Sequence, residues 1–220
     1  MIYLIIVSII WGLSFGIIKY YLSGVNANLI VFARLFLSTL IFLPFFPKGK
    51  KLTLRSFVIL LILGAIQFGL MYILYIYSFN YLKAQQIALF TVFTPIYIAF
   101  IASIFEKKFR PKYFLAAVLA ILGSFYIYFS DFYSSNFWLG FGLMQASNFS
   151  FAFGQIAYVK YMKSSNLKDS EAVSLMYLGA LLLSSFFFFS EFSLIAKHKL
   201  TRINLAAIIY LGIIASGLCF

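Results

Sequence analysis

Apolar residues run along this chain in long blocks, each closed by polar or turn residues. The blocks match the roughly 20 residues that an α-helix needs to cross the hydrocarbon core of a bilayer. The pattern predicts eight spanning helices, over residues 2–22, 27–46, 56–79, 84–105, 112–130, 137–159, 170–190 and 203–220. The blocks are too long for membrane strands and do not alternate with the strand period. The expected fold is therefore an all-α integral membrane protein. Its short loops imply antiparallel neighbours in a bundle. The first block has no basic residues before it and no small-residue cleavage site after it. It is also longer than the apolar region of a signal peptide, so it reads as a spanning helix.

Composition strengthens this reading. Of the 220 residues, 64% are hydrophobic and 10% charged, against about 45–50% and about 25% in soluble domains. A net charge of +12 would point to nucleic acid in a soluble protein. Here the basic residues sit in short loops between apolar blocks, so no nucleic-acid partner is expected and the bilayer is. One cysteine, Cys219, and one histidine, His198, exclude a disulfide framework, a thiolate cluster and a histidine-based metal site. No metal and no cofactor are expected.

The loop charges predict an orientation. The loops at 47–55, 106–112 and 159–171 hold eleven Lys and Arg, and the alternate loops hold four: Lys83, Lys197, Lys199 and Arg202. The basic side should be cytoplasmic. That places the N-terminus inside, in a multi-pass protein of the inner (plasma) membrane.

The chain also resembles itself. "LGAIQFGLMY" (63–72) pairs with "LGIIASGLCF" (211–220), setting Gly64 against Gly212 and Gly69 against Gly217. Residues 29–46 pair without gaps with 172–189, and the Trp11–Lys19 stretch pairs loosely with Phe151–Lys160. The shared order predicts a five-helix repeat unit, the first over 1–130 and a second, incomplete one over 137–220. An odd number of spans turns the second copy upside down. Inverted repeats of this kind mark secondary transporters, with the substrate site near the midplane between the halves. Extending the period leads to the expectation that the chain is part of a protein about 70–80 residues longer, truncated here to about eight helices.

The stretches "WGLSFGIIKYYL" (11–22), "FARLFLSTLIFLP" (32–44) and "LYIYSFNYLKAQQIALFTVFTPIYIAFIASIFEKKF" (74–109) resemble the EamA-like, ten-helix branch of the drug/metabolite transporter superfamily. Trp11, Gly12, Phe15, Lys19, Arg34, Pro95 and Glu106 match its features. Two positions depart from the family pattern: no Gly precedes Glu106 in "FEKKF", and Phe151 stands where a Trp is often found. The resemblance implies a transporter of small metabolites, amino acids or related carboxylate and amine compounds, often acting as an exporter.

Lys19 and Arg34 are the ionisable residues clearly inside the predicted helices, and the five acidic residues all lie outside helix interiors. Arg34 lies about 10 Å from the outer end of its helix, at 1.5 Å rise per residue. A charge at the bilayer centre costs at least about 2.5–3.5 kcal/mol, so both should face the bundle interior or a wet cavity. Together they would make the outer half of a cavity positive and attract a carboxylate. Lys19 could instead snorkel to the outer headgroups, and Arg34 could satisfy backbone carbonyls. The absence of an intramembrane carboxylate argues against proton-coupled export of multidrug cations.

Uncharged polar residues within helices are the next candidates: Ser14, Gln67, Gln86, Thr91, Thr94, Gln145, Asn148, Ser150, Gln155 and Ser216. Hydroxyls can bond back to their own helix, so the amides Gln67, Gln145, Asn148 and Gln155 are favoured as cavity lining. Trp11, Tyr72 and Tyr75 could form aromatic walls, Trp11 foremost because it lies mid-helix. Gly12 and Gly16 form G-x-x-x-G, which predicts a close helix contact. Pro95 should kink its helix.

The expected function is alternating-access movement of a small metabolite by a monomer or homodimer. An intramembrane enzyme would need a nucleophile with a base, or a metal cluster, and the helices offer neither. A membrane scaffold would need no inverted repeat and no buried basic residue.

Overall fold

The structure is a computed structural model that describes residues 2–47, 52–107, 111, 115, 118–119, 135–196 and 199–219. The described residues form helices and loops. They are α1 (Ile2–Tyr21), α2 (Ala27–Phe42), α3 (Leu54–Ser78), α4 (Ala84–Glu106), α5 (Ser135–Met162), α6 (Asp169–Ser190) and α7 (Arg202–Leu218). A single turn, Phe192–Ile195, follows α6. The expected span at 112–130 lies outside the described residues apart from 115, 118 and 119, which are helical.

The protein is an all-α integral membrane protein. α1, α2 (with the 3₁₀ turn Leu43–Phe45), α3, α4 and α6 are each long and apolar enough to cross a bilayer. α5 has 28 residues, about 42 Å at the standard rise. It carries Gln145, Ser147, Asn148, Ser150 and Gln155, which make it more polar than those five.

Local chemistry sets the helix ends. Asn26 begins α2 by accepting from the backbone N–H groups of Asn28 and Leu29, and Thr53 begins α3 by accepting from that of Ser56. Glu171 reaches back to the N–H of Lys168 at 2.8 Å, placing a carboxylate at the positive end of α6.

α2, α3 and α6 are central, with 44–50% of each window buried, whereas α1 and α4 are 11% and 17% buried. Glycines let the central helices touch backbone to backbone. A Cβ on Gly64 would lie 1.9 Å from the Met176 carbonyl oxygen, and one on Gly179 would lie 2.0 Å from that of Leu61. α7 sits on α2 in the same way: a Cβ on Gly212 would lie 2.7 Å from Leu37 Cβ and 3.1 Å from the Arg34 carbonyl oxygen. Beside these crossings Tyr177 is sandwiched between Phe42 (5.0 Å, 16°) and Phe68 (4.6 Å, 6°).

Among the described residues the Gly12/Gly16 pair makes no such contact, since a Cβ on either would meet open space. α1 is mostly unburied, and Gly12 is exposed. The close-packing glycines lie instead on α3, α5, α6 and α7.

Two helices contain π-helical stretches. α3 passes through a π-helical stretch at Ala65–Leu70, and α7 is π-helical over Tyr210–Leu218. The first stretch falls within the paired segment 63–72, and the second overlaps 211–220 from one residue before it.

Overpacking a tight core contact costs about 1–3 kcal/mol. Gly64→Ala and Gly179→Ala should each lower stability by that order, read as thermal unfolding in detergent. Gly12→Ala and Gly16→Ala should leave it unchanged.

Candidate functional site

Arg34 is 4% exposed on α2, seven residues into the helix. Its Nε donates to Ser216 Oγ on α7 at 2.6 Å, and its Nη2 donates to the Tyr72 hydroxyl on α3 at 3.2 Å. The guanidinium carbon lies 4.0 Å from the centroid of the Tyr72 ring, a cation–π contact. The Tyr72 and Ser216 hydroxyls are themselves 3.1 Å apart. Nη1 is buried with no hydrogen-bond partner among the described residues. Two hydroxyls and an aromatic face thus surround a cation with an unused pair of N–H donors. Such a cation can accept a carboxylate at its free N–H donors.

The π-helical stretch of α7 gathers the surrounding helices onto this cluster. The Ala215 carbonyl accepts from Trp11 Nε1 at 3.0 Å, and that of Ser216 accepts from the Tyr177 hydroxyl at 2.7 Å. The Gly212 carbonyl accepts from Ser38 Oγ at 2.9 Å. The donors come from α1, α6 and α2. Trp11 and Arg34 therefore meet neighbouring residues of one helix. Ser14 is buried beside them, and its hydroxyl bonds back to the Ile10 carbonyl, which also accepts from Tyr210 of α7.

Lys19 lies apart from Arg34. Its Nζ donates to the carbonyls of Phe79 (2.7 Å) and Leu82 (2.9 Å), just past the end of α3. A cation there complements the negative end of the helix. A cavity of about 190 Å³ opens alongside, lined by Lys19, Leu22, Val25, Ile30, Ile76 and Phe79 among others.

The amides form two further groups. Gln67, 3% exposed, donates from Nε2 to Gln155 Oε1 at 2.9 Å, and its own Oε1 is unpartnered. Gly154 allows this approach, since a Cβ there would lie 2.3 Å from Gln67 Cβ. Between α4 and α5, Asn148 Nδ2 donates to the Phe90 carbonyl at 2.8 Å and Asn148 Oδ1 accepts from Thr94 at 3.2 Å. Gln145 Oε1 accepts from Tyr97 at 3.2 Å, and Gln145 Nε2 is buried and unpartnered. Pro95 stands just after the 3₁₀ turn Thr91–Phe93 that interrupts α4. There the Thr94 N–H bonds to the Thr91 carbonyl, so the Phe90 carbonyl is released to Asn148.

Sequence reasoning underweighted or missed four residues. Ser216 and Thr94 are among the sequence candidates but rank below the amides because a hydroxyl can bond back to its own helix, yet both bind other helices. Tyr177 and Tyr97 went unnoticed among many aromatics. The available signal was a phenol at mid-membrane depth in a Phe-rich run, because a buried phenol needs a partner.

Residues 1–129 match the model of the EamA-like transporter family. The chain is 34% identical over 220 residues to the biotin transporter of Salmonella typhimurium, covering 98% of this chain and 72% of that protein. It is 34% identical over 217 residues to the biotin transporter of Escherichia coli K12, with the same coverage. No solved structure matches the chain at a significant level.

Charge-assisted hydrogen bonds are worth about 1.5–3 kcal/mol. Lys19→Met should therefore lower the unfolding temperature of the purified protein while leaving its transport KM unchanged. A raised KM with unchanged stability would assign Lys19 to the substrate instead.

Proposed function

This chain belongs to the EamA-like transporter family, and from that premise we propose that it carries biotin, or a carboxylate of similar build, across the inner membrane. It is a small-molecule transporter and a multi-pass membrane protein, not an enzyme. The observation that carries the substrate reading is Arg34: a buried guanidinium with Nη1 unpartnered. No acid offers itself from a helix interior among the described residues, since Glu106, Asp169 and Glu171 lie at helix ends and Glu191 just past α6. An anion arriving at Nη1 would complete the hydrogen bonding of a desolvated cation, which raises affinity for carboxylates over neutral solutes. The same lack of interior acids disfavours an amine as the recognised group. Of the amino acids and related compounds expected at first, the carboxylates are retained.

The mechanism proposed is alternating access between two inverted five-helix units, 1–130 and an incomplete 137–220. Support comes from the two π-helical stretches at paired positions. Further support is the reciprocal crossing of α3 on α6 and of α7 on α2, each through a glycine of those paired segments. The site then lies where the units meet, with Arg34 and Tyr72 from one and Ser216 from the other. A rocking motion that separates α7 from α2 would break the Arg34–Ser216 bond and turn the cation toward one face. Such a cycle runs in either sense, so the gradient and its coupling set export or uptake. The basic loops favour a cytoplasmic N-terminus.

Counterflow of labelled biotin in proteoliposomes should be saturable. Arg34→Gln should raise KM by about tenfold or more, the value of one charge-assisted bond. Arg34→Lys should fall between the two, keeping the charge without the fork. An unchanged KM in correctly inserted Arg34→Gln would overturn the role of Arg34.

A further inference from the structure

The amide cluster between α4 and α5 carries chemistry that a carboxylate site does not use. It lies where α4 breaks, and broken helices border substrate sites in transporters. Gln145 Nε2 is buried there without a partner, and a buried donor left unpaired is strongly disfavoured. Exchanging the positions of the amide oxygen and nitrogen does not remove the vacancy; it leaves an unpaired oxygen in place of an unpaired nitrogen.

The neighbouring bonds are weak. The Tyr97 and Thr94 hydroxyls approach the Gln145 and Asn148 oxygens at 3.2 Å, whereas O–H···O bonds centre near 2.7–2.8 Å. A better donor could displace either. By contrast, the Asn148 Nδ2 bond to the Phe90 carbonyl is short, at 2.8 Å, and anchors that amide. The cluster thus presents one free amide NH2 group and two loosely held carbonyl oxygens, that of Gln145 also accepting from Asn148 Nδ2 at 3.5 Å. A urea has the complementary face: one carbonyl acceptor flanked by two N–H donors. Phe90, Phe93 and Phe141 pack edge to face beside the cluster, centroids 5.0–6.3 Å apart, and offer an apolar wall to a ring.

We infer that Gln145 and Asn148 form a subsite for a cyclic urea. Gln145 Nε2 donates to the urea carbonyl, and the Gln145 and Asn148 oxygens accept its N–H groups. This rests on the biotin reading, since biotin joins a cyclic urea to a carboxylate. It makes Gln145 and Asn148 specificity-determining residues, separate from the Arg34 cluster.

The test is competition against labelled biotin uptake in proteoliposomes by desthiobiotin and by lipoate. Desthiobiotin keeps the urea and the carboxylate; lipoate has a carboxylate chain on a ring without urea. Desthiobiotin should compete at least about tenfold better in the wild type, the worth of one buried hydrogen bond. Gln145→Met should bring that ratio close to one without weakening lipoate. Tyr97→Phe, which removes one hydroxyl, should shift the ratio by a smaller factor through a looser Gln145, and it decides the matter if Gln145→Met does not insert. A wild-type ratio near one, or a ratio unchanged in the variants, overturns the subsite. Absence of biotin uptake by the wild type overturns the proposed function instead.

Discussion

A guanidinium buried at membrane depth needs its charge met. Among the described residues Arg34 meets that need with two hydroxyls and an aromatic face, not with a carboxylate. Removing a charge from water without pairing it is costly, so Arg34 constrains everything around it. α3 must present Tyr72, and α7 must present Ser216 at the same level. Both requirements depend on close helix contact, hence glycines at 64, 179 and 212, where a methyl group would collide with a neighbouring helix. The contact that remains unmet, at Nη1, is the basis for proposing the cluster as a binding site as well as a packing solution.

The π-helical stretch of α7 is the second half of this arrangement. Three of its carbonyls, at Gly212, Ala215 and Ser216, accept from side chains of α2, α1 and α6. π-helical stretches occur frequently at functional sites. Here the stretch ties four helices to one surface through hydrogen bonds that can be exchanged singly. Lys19 works at a different place, bonded to carbonyls beyond the end of α3. Lys19 and Arg34 therefore differ in their surroundings: Lys19 bonds two carbonyls at a helix end, and Arg34 keeps Nη1 without a hydrogen-bond partner among the described residues.

Much of the fold was legible in the sequence because lipid imposes a simple rule. Each block of about twenty apolar residues becomes a helix, and every predicted span within the described residues is helical. Arg34 and the amides were legible for a related reason, since polar groups in hydrocarbon are costly and conspicuous. What could not be read was direction around each helix. Gly12 and Gly16 have the spacing of a contact but face open space, while Gly64 and Gly179 each meet the backbone of the facing helix, at Met176 and at Leu61. Ser216 looked like a residue that bonds its own helix, because sequence does not reveal that α7 turns π-helical and aims it at Arg34. Lys19 read either as part of a positive outer cavity or as a snorkelling cation, because sequence does not show which carbonyls lie within its reach.

The central claim is that the free N–H donors of Arg34 receive a carboxylate. Equilibrium binding of biotin and of its uncharged methyl ester to the purified wild-type protein tests it most directly. The ester keeps the ring, the urea and the chain and removes only the anionic charge. The expected result is that the acid binds at least about tenfold more tightly, the worth of one charge-assisted hydrogen bond. Equal affinities would contradict the claim and leave Arg34 as a purely structural cation.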